Sequence, residues 1–288
     1  MKVAIVTDST SYLTEAEIAK YDIKIVPMPF ILKDKIYKEG VDVTTAEYYA
    51  MLSESDSFPT TSQPSVGEMM ALYEELRDEG YEAVISIHLA STISGFVSNV
   101  ASLEGSIEGL DIYAYDSKIT VRLMGNLVLK AAQMAAAGKT PAEILPVLDE
   151  LRDTIDEYFV VDDLQNLVRG GRLSNAGALI GAVLKVKPIL TFDNDTNHIV
   201  PFEKVRSMKK ALKRTGELFN EALAKADYPV RAIVIHANNE AGGRAFQAEV
   251  QAQHPDIPVD LSYFGPVIGT HLGQGAIGLT WMRDIDSL

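Results

Sequence analysis

Short apolar runs alternate with amphipathic stretches along most of this chain. Lys2–Val6, Ile23–Leu32, Glu82–Ile87, Asp111–Tyr115, Tyr158–Val161, Val186–Phe192 and Arg231–His236 are brief and rich in Val, Ile or aromatic residues, which predicts buried strands. Helical starts lie between most of them. Thr14-Glu15-Ala16-Glu17, Thr44-Thr45-Ala46-Glu47 and Thr140-Pro141-Ala142-Glu143 each place a hydroxyl three residues before a Glu, the capping-box spacing, and the last adds proline at the first helical position. Gly138 sits where a C-terminal cap belongs after the alanine-rich stretch Arg122–Ala137. Over Ser207–Ala226, residues such as Met208, Ala211, Thr215, Leu218 and Ala222 share one helical face.

Strand–helix alternation predicts an α/β protein with a mainly parallel sheet flanked by helices. After about Tyr158 the texture changes. Gly-rich loops appear, and Thr191–Arg206 reads as a hairpin turning at Asn194-Asp195-Thr196-Asn197. The expectation is two domains, an N-terminal α/β domain over residues 1–158 and a smaller C-terminal α/β domain over residues 159–288. No flexible linker separates them, so they should pack firmly. There is no internal repeat.

The 288 residues, 47% hydrophobic and 23% charged, are those of a soluble globular chain. A formal charge of -14 argues against nucleic acid and against an anionic membrane surface. The absence of cysteine excludes disulfides, thiol nucleophiles and Cys-bound zinc. The apolar run before Asp8 is too short for a signal peptide, and Ala176–Leu184 is far short of the ~20 residues of a membrane span, so membrane insertion is not expected. A cytoplasmic location is the expectation that remains.

Four segments are candidates for chemistry. Pro59-Thr60-Thr61-Ser62-Gln63-Pro64-Ser65 holds Thr60, Thr61 and Ser62 between prolines that keep the backbone extended, ahead of a helix started by the Ser65/Glu68 capping box. Such a rack of hydroxyl donors suits a small anion such as a carboxylate, though hydroxyl-rich turns are common. Leu89-Ala90-Ser91-Thr92-Ile93-Ser94-Gly95-Phe96 follows a strand and opens a helix, where anions bind, or where Ser94 is a simple cap. Phe264–Ala276 embeds His271 among glycines that allow close backbone approach. The other histidines, His88, His198, His236 and His254, are assigned no role.

Arg169-Gly170-Gly171-Arg172 could clamp a carboxylate or phosphate. For Arg169 the preferred expectation is bracing against Asp162 or Asp163, and Arg172 is left open. Asp8-Ser9-Thr10 and Asp116-Ser117 suit hydrogen bonding at the sheet's rim; nothing fixes a magnesium ligand set around them. No G-x-S-x-G, HExxH, P-loop or dinucleotide fingerprint is present, so ATP binding by this chain alone has no support.

Taken together, these segments resemble the DegV family of fatty-acid-binding proteins, the lipid-carrying B subunits of bacterial fatty acid kinase. The resemblance runs the whole length through Val6–Thr10, Thr60–Pro64, Ser91–Gly95, Val161–Leu164, Arg169–Arg172, Lys204–Arg206 and Gly265–Gly273. It implies one palmitate-like fatty acid held between the two domains, with no further cofactor and no catalytic residue of the chain's own. Its carboxylate would lie on Thr61, Ser62 and Ser94, with His271 nearby and Arg172 a further candidate. An ATP-dependent kinase subunit would phosphorylate the bound acid, and the acyl phosphate would enter lipid synthesis.

One departure is Phe96, where many relatives carry a small hydroxyl residue; it bears on chain length or bend. The run Gly177–Leu184 is apolar enough to line an acyl tunnel, as ordinary core would be. The basic cluster Lys204, Arg206, Lys209, Lys210, Lys213 and Arg214 reads either as a solvated surface or as a kinase docking patch around Arg206 and Lys209. Rival readings are a self-contained hydrolase using Ser94 with His271, a phosphotransferase, and a regulatory lipid sensor.

Overall fold

Backbone pairing sorts the strands into three sheets, in a computed structural model that describes residues 1–55, 57–174 and 187–288. The first sheet joins β1 (Val3–Asp8), β2 (Lys24–Val26), β6 (Ala83–His88) and β7 (Asp111–Asp116) in the order β2-β1-β6-β7, all parallel. A small antiparallel sheet holds β3 (Pro29–Leu32), β4 (Lys35–Lys38) and β5 (Thr60–Thr61) in the order β4-β3-β5. The third contains β8 (Asp156–Val160), β9 (Lys187–Phe192), β10 (Ile199–Val205), β11 (Val230–His236), β12 (Val259–Tyr263) and β13 (Ile277–Arg283). Its order is β10-β9-β8-β13-β11-β12, and only β11–β12 is parallel.

The helices are α1 (Glu15–Tyr21), α2 (Thr45–Ser53), α3 (Val66–Asp78), α4 (Phe96–Ala101), α5 (Val121–Ala136), α6 (Pro141–Arg152), α7 (Gln165–Gly170), α8 (Met208–Leu223), α9 (Glu240–Gln253) and α10 (Pro266–Leu272). Capping boxes start α1, α2, α3 and α6 at Thr14, Thr44, Ser65 and Thr140, as expected. Gly138, at φ +79, follows the end of α5. None of the described helices is long and apolar enough to cross a membrane. One continuous core joins Ile5 and Ile85 of the first sheet to Phe159, Leu190 and Ile235 of the third.

The expected mixed α/β class is present, with three differences in detail. Ile23–Leu32 is not one strand: Pro27 and Pro29 cannot donate to a continuous ladder, and the chain leaves the parallel sheet at Val26 to enter the small antiparallel one. β4, β5, β12 and β13 are additional strands. β13 is the centre of its sheet, yet its segment, Ile277-Gly278-Leu279-Thr280-Trp281-Met282-Arg283, mixes Gly and Thr into the apolar pattern. The β9–β10 hairpin does turn where expected, with Asp193 N–H donating to His198 O.

α10 is held by the N-terminal half of the chain. Tyr49 Oη donates to Phe264 O at 2.9 Å, and Tyr48 Oη shares a hydrogen bond with Thr270 Oγ1 at 3.0 Å. A Cβ at Gly269 would lie 2.4 Å from Tyr49 Oη, so only glycine permits this approach. At the start of α10 the buried Glu39 carboxyl accepts from Val267 N–H at 3.0 Å and from Ser9 and Tyr12. The Asp8-Ser9-Thr10 segment thus braces α10 through Glu39, while Asp8 itself accepts from Thr10, His88 and Leu89.

Candidate functional site

Strand alternation decides which hydroxyls of the Pro59–Ser65 segment turn inward. β5 pairs Thr61 with Phe30 and Thr60 with Ile31, so the two threonines face opposite ways. Thr60 is exposed, Thr61 and Gln63 are half-buried, and these two with the exposed Ser62 line a cavity of about 330 Å³. The three-hydroxyl rack therefore loses Thr60, and its third polar member is the Gln63 amide. This cavity also gathers Ser94, Arg172 and His271, so the five candidate head-group residues converge on one space. Its remaining walls are mainly apolar, with Leu89, Ile119, Phe159, Phe192, Ile235 and Ile268 among them.

His271 stands near the end of α10, and its Nε2 lies 2.8 Å from Thr61 Oγ1. Burial, with the Arg172 cation adding to it, pushes the imidazole down to about 4. It is therefore neutral through the physiological range, and can donate or accept without carrying charge. A Cβ on Gly170 would sit 2.5 Å from His271 Nδ1, so the Gly170-Gly171 turn provides room for the ring. Gly171, at φ +71, closes α7.

Arg172 is half-buried, and its guanidinium donates from Nε to Ile93 O at 3.1 Å and from Nη1 to Gly170 O. It thereby ties the Ser91–Gly95 loop to the glycine turn and brings a positive charge to the polar end of the cavity. Ser94 Oγ accepts from Phe96 N–H at 3.2 Å. Its hydroxyl hydrogen is thus free to point elsewhere, so capping and ligand binding are compatible. Thr92 Oγ1 donates to Asn197 O at 2.6 Å, which joins this loop to the β9–β10 turn.

Arg169 does not brace Asp162 or Asp163. Its guanidinium lies 3.6 Å from the Phe58 ring centroid and bonds Gln165, while Asp162 is paired with Lys187. The expected rim role of Asp116 holds: it accepts from Ser91 and Lys118 N–H. The Gly177–Leu184 run lies outside the described residues. Within the basic cluster, Arg214 is held by Glu203 and Glu221, but Lys204, Arg206, Lys209 and Lys210 are exposed.

Among the cavity residues that carried no role in the sequence expectations, Val121 and Glu157 stand out. Val121 lines the cavity at φ +58, a left-handed conformation that costs a β-branched residue about 1–3 kcal/mol. Nothing in its side-chain type signals this. Glu157 is buried in β8, where alternation along Asp156-Glu157-Tyr158-Phe159-Val160 places it on the same face as Phe159. An acid at a core-facing strand position was the available signal. Its Oε1 accepts from Phe192 N–H at 2.7 Å and Thr191 Oγ1 at 3.1 Å.

Burial pushes the Glu157 carboxyl up to about 8, against the two hydrogen bonds. A raised carboxyl binds its proton more tightly in the folded chain, so its contribution to stability is lost as pH rises from the unfolded value near 4.5 to about 8. Urea unfolding at pH 5.5 and 8.5 should show a loss on the order of 3 kcal/mol across that interval that Glu157→Gln removes. Parallel wild-type and variant curves would contradict the assignment.

A hydrolase needs a base with an acidic orienter. Among the described residues, no carboxylate bonds His271, and its hydrogen-bond partner is Thr61 instead of Ser94. A Ser–His–Asp order does occur elsewhere. Asp8 Oδ2 lies 3.0 Å from His88 Nδ1, and His88 Nε2 lies 2.7 Å from Ser86 Oγ, which also meets Tyr73 Oη at 2.7 Å. All four side chains are buried and none lines the cavity, so this network is a brace that ties β1 and β6 to α3.

Comparison with known proteins bears directly on this arrangement. A family model described as "Uncharacterised protein, DegV family" matches residues 2–284. A DegV domain-containing protein of Listeria monocytogenes is 46% identical over 280 residues, covering 97% of this chain and 98% of the relative. The crystal structure of DegV, a fatty acid binding protein from Bacillus subtilis, superposes with a TM-score of 0.90 at 44% identity, covering 98% of this chain and 99% of that one. A fatty acid binding DegV family protein from Streptococcus agalactiae gives a TM-score of 0.91 at 36% identity, covering 98% and 99%. With sequence and fold in agreement from end to end, the chain belongs to the DegV family.

Proposed function

We propose that this protein binds a single long-chain fatty acid, palmitate-like, and presents its carboxylate to a separate ATP-dependent fatty acid kinase subunit. The observation that carries this reading is the Thr61–His271 pair at the polar end of a mainly apolar cavity, with Ser62, Ser94 and Arg172 beside it. The fatty acid binding described for the Bacillus and Streptococcus proteins supports the ligand class. Two units divided near residue 158, with the acid between them, fit the change from the parallel sheet to the mixed one. A cytoplasmic site of action suits the acidic, cysteine-free chain.

The energetics are consistent. Burying a methylene contributes about 0.8 kcal/mol, so a sixteen-carbon tail supplies roughly 11 kcal/mol gross. Desolvating a carboxylate costs several kcal/mol, which hydrogen bonds of about 1.5–3 kcal/mol each largely offset. The tail thus gives affinity and the hydroxyls give orientation.

Phosphorylation needs no base here. A carboxylate oxygen, already ionised at neutral pH, attacks the γ-phosphorus of ATP, ADP leaves, and an acyl phosphate forms without proton transfer. The binding protein's task is to aim one oxygen outward while donors hold the other. A neutral His271 can position the head group without the full ion pair that would lower the oxygen's nucleophilicity. The acyl phosphate would then feed lipid metabolism.

Native mass spectrometry of protein purified from cells tests this reading. It should show one copurified long-chain acid and no turnover without a partner; protein free of lipid, or partner-independent turnover, would favour a hydrolase or phosphotransferase. For the exposed patch at Arg206 and Lys209, reversing both charges should slow phosphorylation by the kinase about tenfold or more while fatty acid affinity holds. Loss of lipid affinity instead would count against docking.

A further inference from the structure

Glu157 is the one acidic side chain among the described residues that line the cavity. It also lines a second, more polar cleft of about 540 Å³ that holds Lys118, Arg152, Asp156 and Asn194, so it stands in the partition between the two. Its position relative to the head-group end follows from register. Val160 pairs with Ile277 and Glu157 with Thr280, three residues along the same ladder, roughly 10 Å at strand rise. The Val160 end leads to α7 and the Gly170–Arg172 turn, and Ile277 follows α10 with His271. Glu157 therefore lies well away from the carboxylate site, along the path available to an acyl chain.

Both protein donors to this carboxyl meet the same oxygen, Oε1; among the described residues nothing donates to Oε2. An oxygen without a protein donor becomes costly once a methylene chain displaces water from it, and a ligand hydroxyl would remove that cost. In its protonated form it can also donate to such a hydroxyl. Thr280, its register partner, donates to Ile233 O, so its hydroxyl can only accept, whereas a protonated Glu157 can donate as well as accept.

Resting on the fatty-acid reading above, the geometry points to Glu157 as a second polar recognition point, selecting long-chain acids that carry a hydroxyl group in the distal part of the chain. The ligand class extends from plain acids to hydroxylated ones, with the hydroxyl on Glu157 and the carboxylate on Thr61 and Ser94.

The test is a binding comparison of palmitate with its 2-, 12- and 16-hydroxy derivatives on wild type, Glu157→Gln and Glu157→Leu. Wild type should bind at least one of the two distal isomers within about threefold of palmitate or more tightly. Glu157→Leu should worsen that ratio about tenfold or more, because the hydroxyl then has no partner. Glu157→Gln, whose amide keeps an acceptor for Phe192 and Thr191 and can meet the hydroxyl, should retain the preference. The 2-hydroxy ratio should be the same in all three proteins.

Equal distal-to-palmitate ratios in wild type and Glu157→Leu would overturn the proposal. So would a wild type that rejects both distal isomers by about thirtyfold, a result readable even if the leucine variant fails to fold. Palmitate binding with either of those results leaves the fatty-acid reading standing. Failure of palmitate and all its derivatives to bind would remove that reading and this one together.

Discussion

Replacing Thr61 with Val and Ser94 with Ala together should weaken long-chain acid binding by about 10²–10⁴-fold, the loss of two hydrogen bonds to an ionised carboxylate at roughly 1.5–3 kcal/mol each. The two positions come from separate segments, β5 and the loop after β6, and meet at the cavity. Valine preserves the shape of Thr61 while removing the hydroxyl that meets His271 Nε2. Affinity for a long-chain alcohol of equal length should change far less, because its tail contacts are untouched. Calorimetric titration of acid and alcohol on both proteins checks this. A fall of under tenfold for the acid, or an equal fall for both ligands, would mean that the carboxylate sits elsewhere.

Gly170→Ala is expected to act through His271. Its added methyl would begin 2.5 Å from Nδ1, so either the ring or the turn must move. Overpacking of this kind costs about 1–3 kcal/mol, and displacing the ring also breaks the Thr61 bond. Acid affinity should fall about tenfold or more. The informative variant is the pair with His271→Ala. Once the imidazole is gone the methyl has room, so Gly170→Ala should then be nearly neutral for stability, a coupling on the order of 1–3 kcal/mol. Denaturant unfolding of the four proteins measures it. Additive costs would show that the glycine is needed for its own turn and not for the histidine.

The sequence pattern carries much of this architecture because the local signals agree with the tertiary structure. Four helix starts with a hydroxyl and a Glu three residues later form capping boxes, and the Asp193–His198 turn closes the β9–β10 hairpin. Where signals were weak, expectation failed. β13 owes its central place to partners on both sides, and its Gly278 and Thr280 break the apolar pattern that marks buried strands. Pro27 and Pro29 could have been read as a break in Ile23–Leu32, but the apolar residues around them outweighed that signal.

At the site, motif content and spatial role separated. Thr60, Thr61 and Ser62 are chemically similar, and only the β3–β5 pairing shows that Thr60 faces out. Arg169 and Arg172 flank the same Gly-Gly pair, yet one stacks on Phe58 and the other reaches the cavity. Asp162 was an attractive partner for Arg169 by proximity along the chain, but Lys187, twenty-five residues away, takes it. The neutrality of His271 depends on burial and on the nearby Arg172 charge, neither of which is local in sequence. Val121 becomes visible only when the cavity is traced, while Glu157 gave one local signal, an acid at a core-facing strand position.

The central claim is that an acyl chain lies in the cavity with its acid group at the Thr61 end. A crystal structure of the protein with palmitate tests it most directly. Carboxylate oxygens should lie within about 3 Å of Thr61 and Ser94 hydroxyls, close to His271, with the chain running between Phe159 and Ile268 toward Glu157. A carboxylate at the Glu157 end, or a chain bound outside this cavity, would contradict the account.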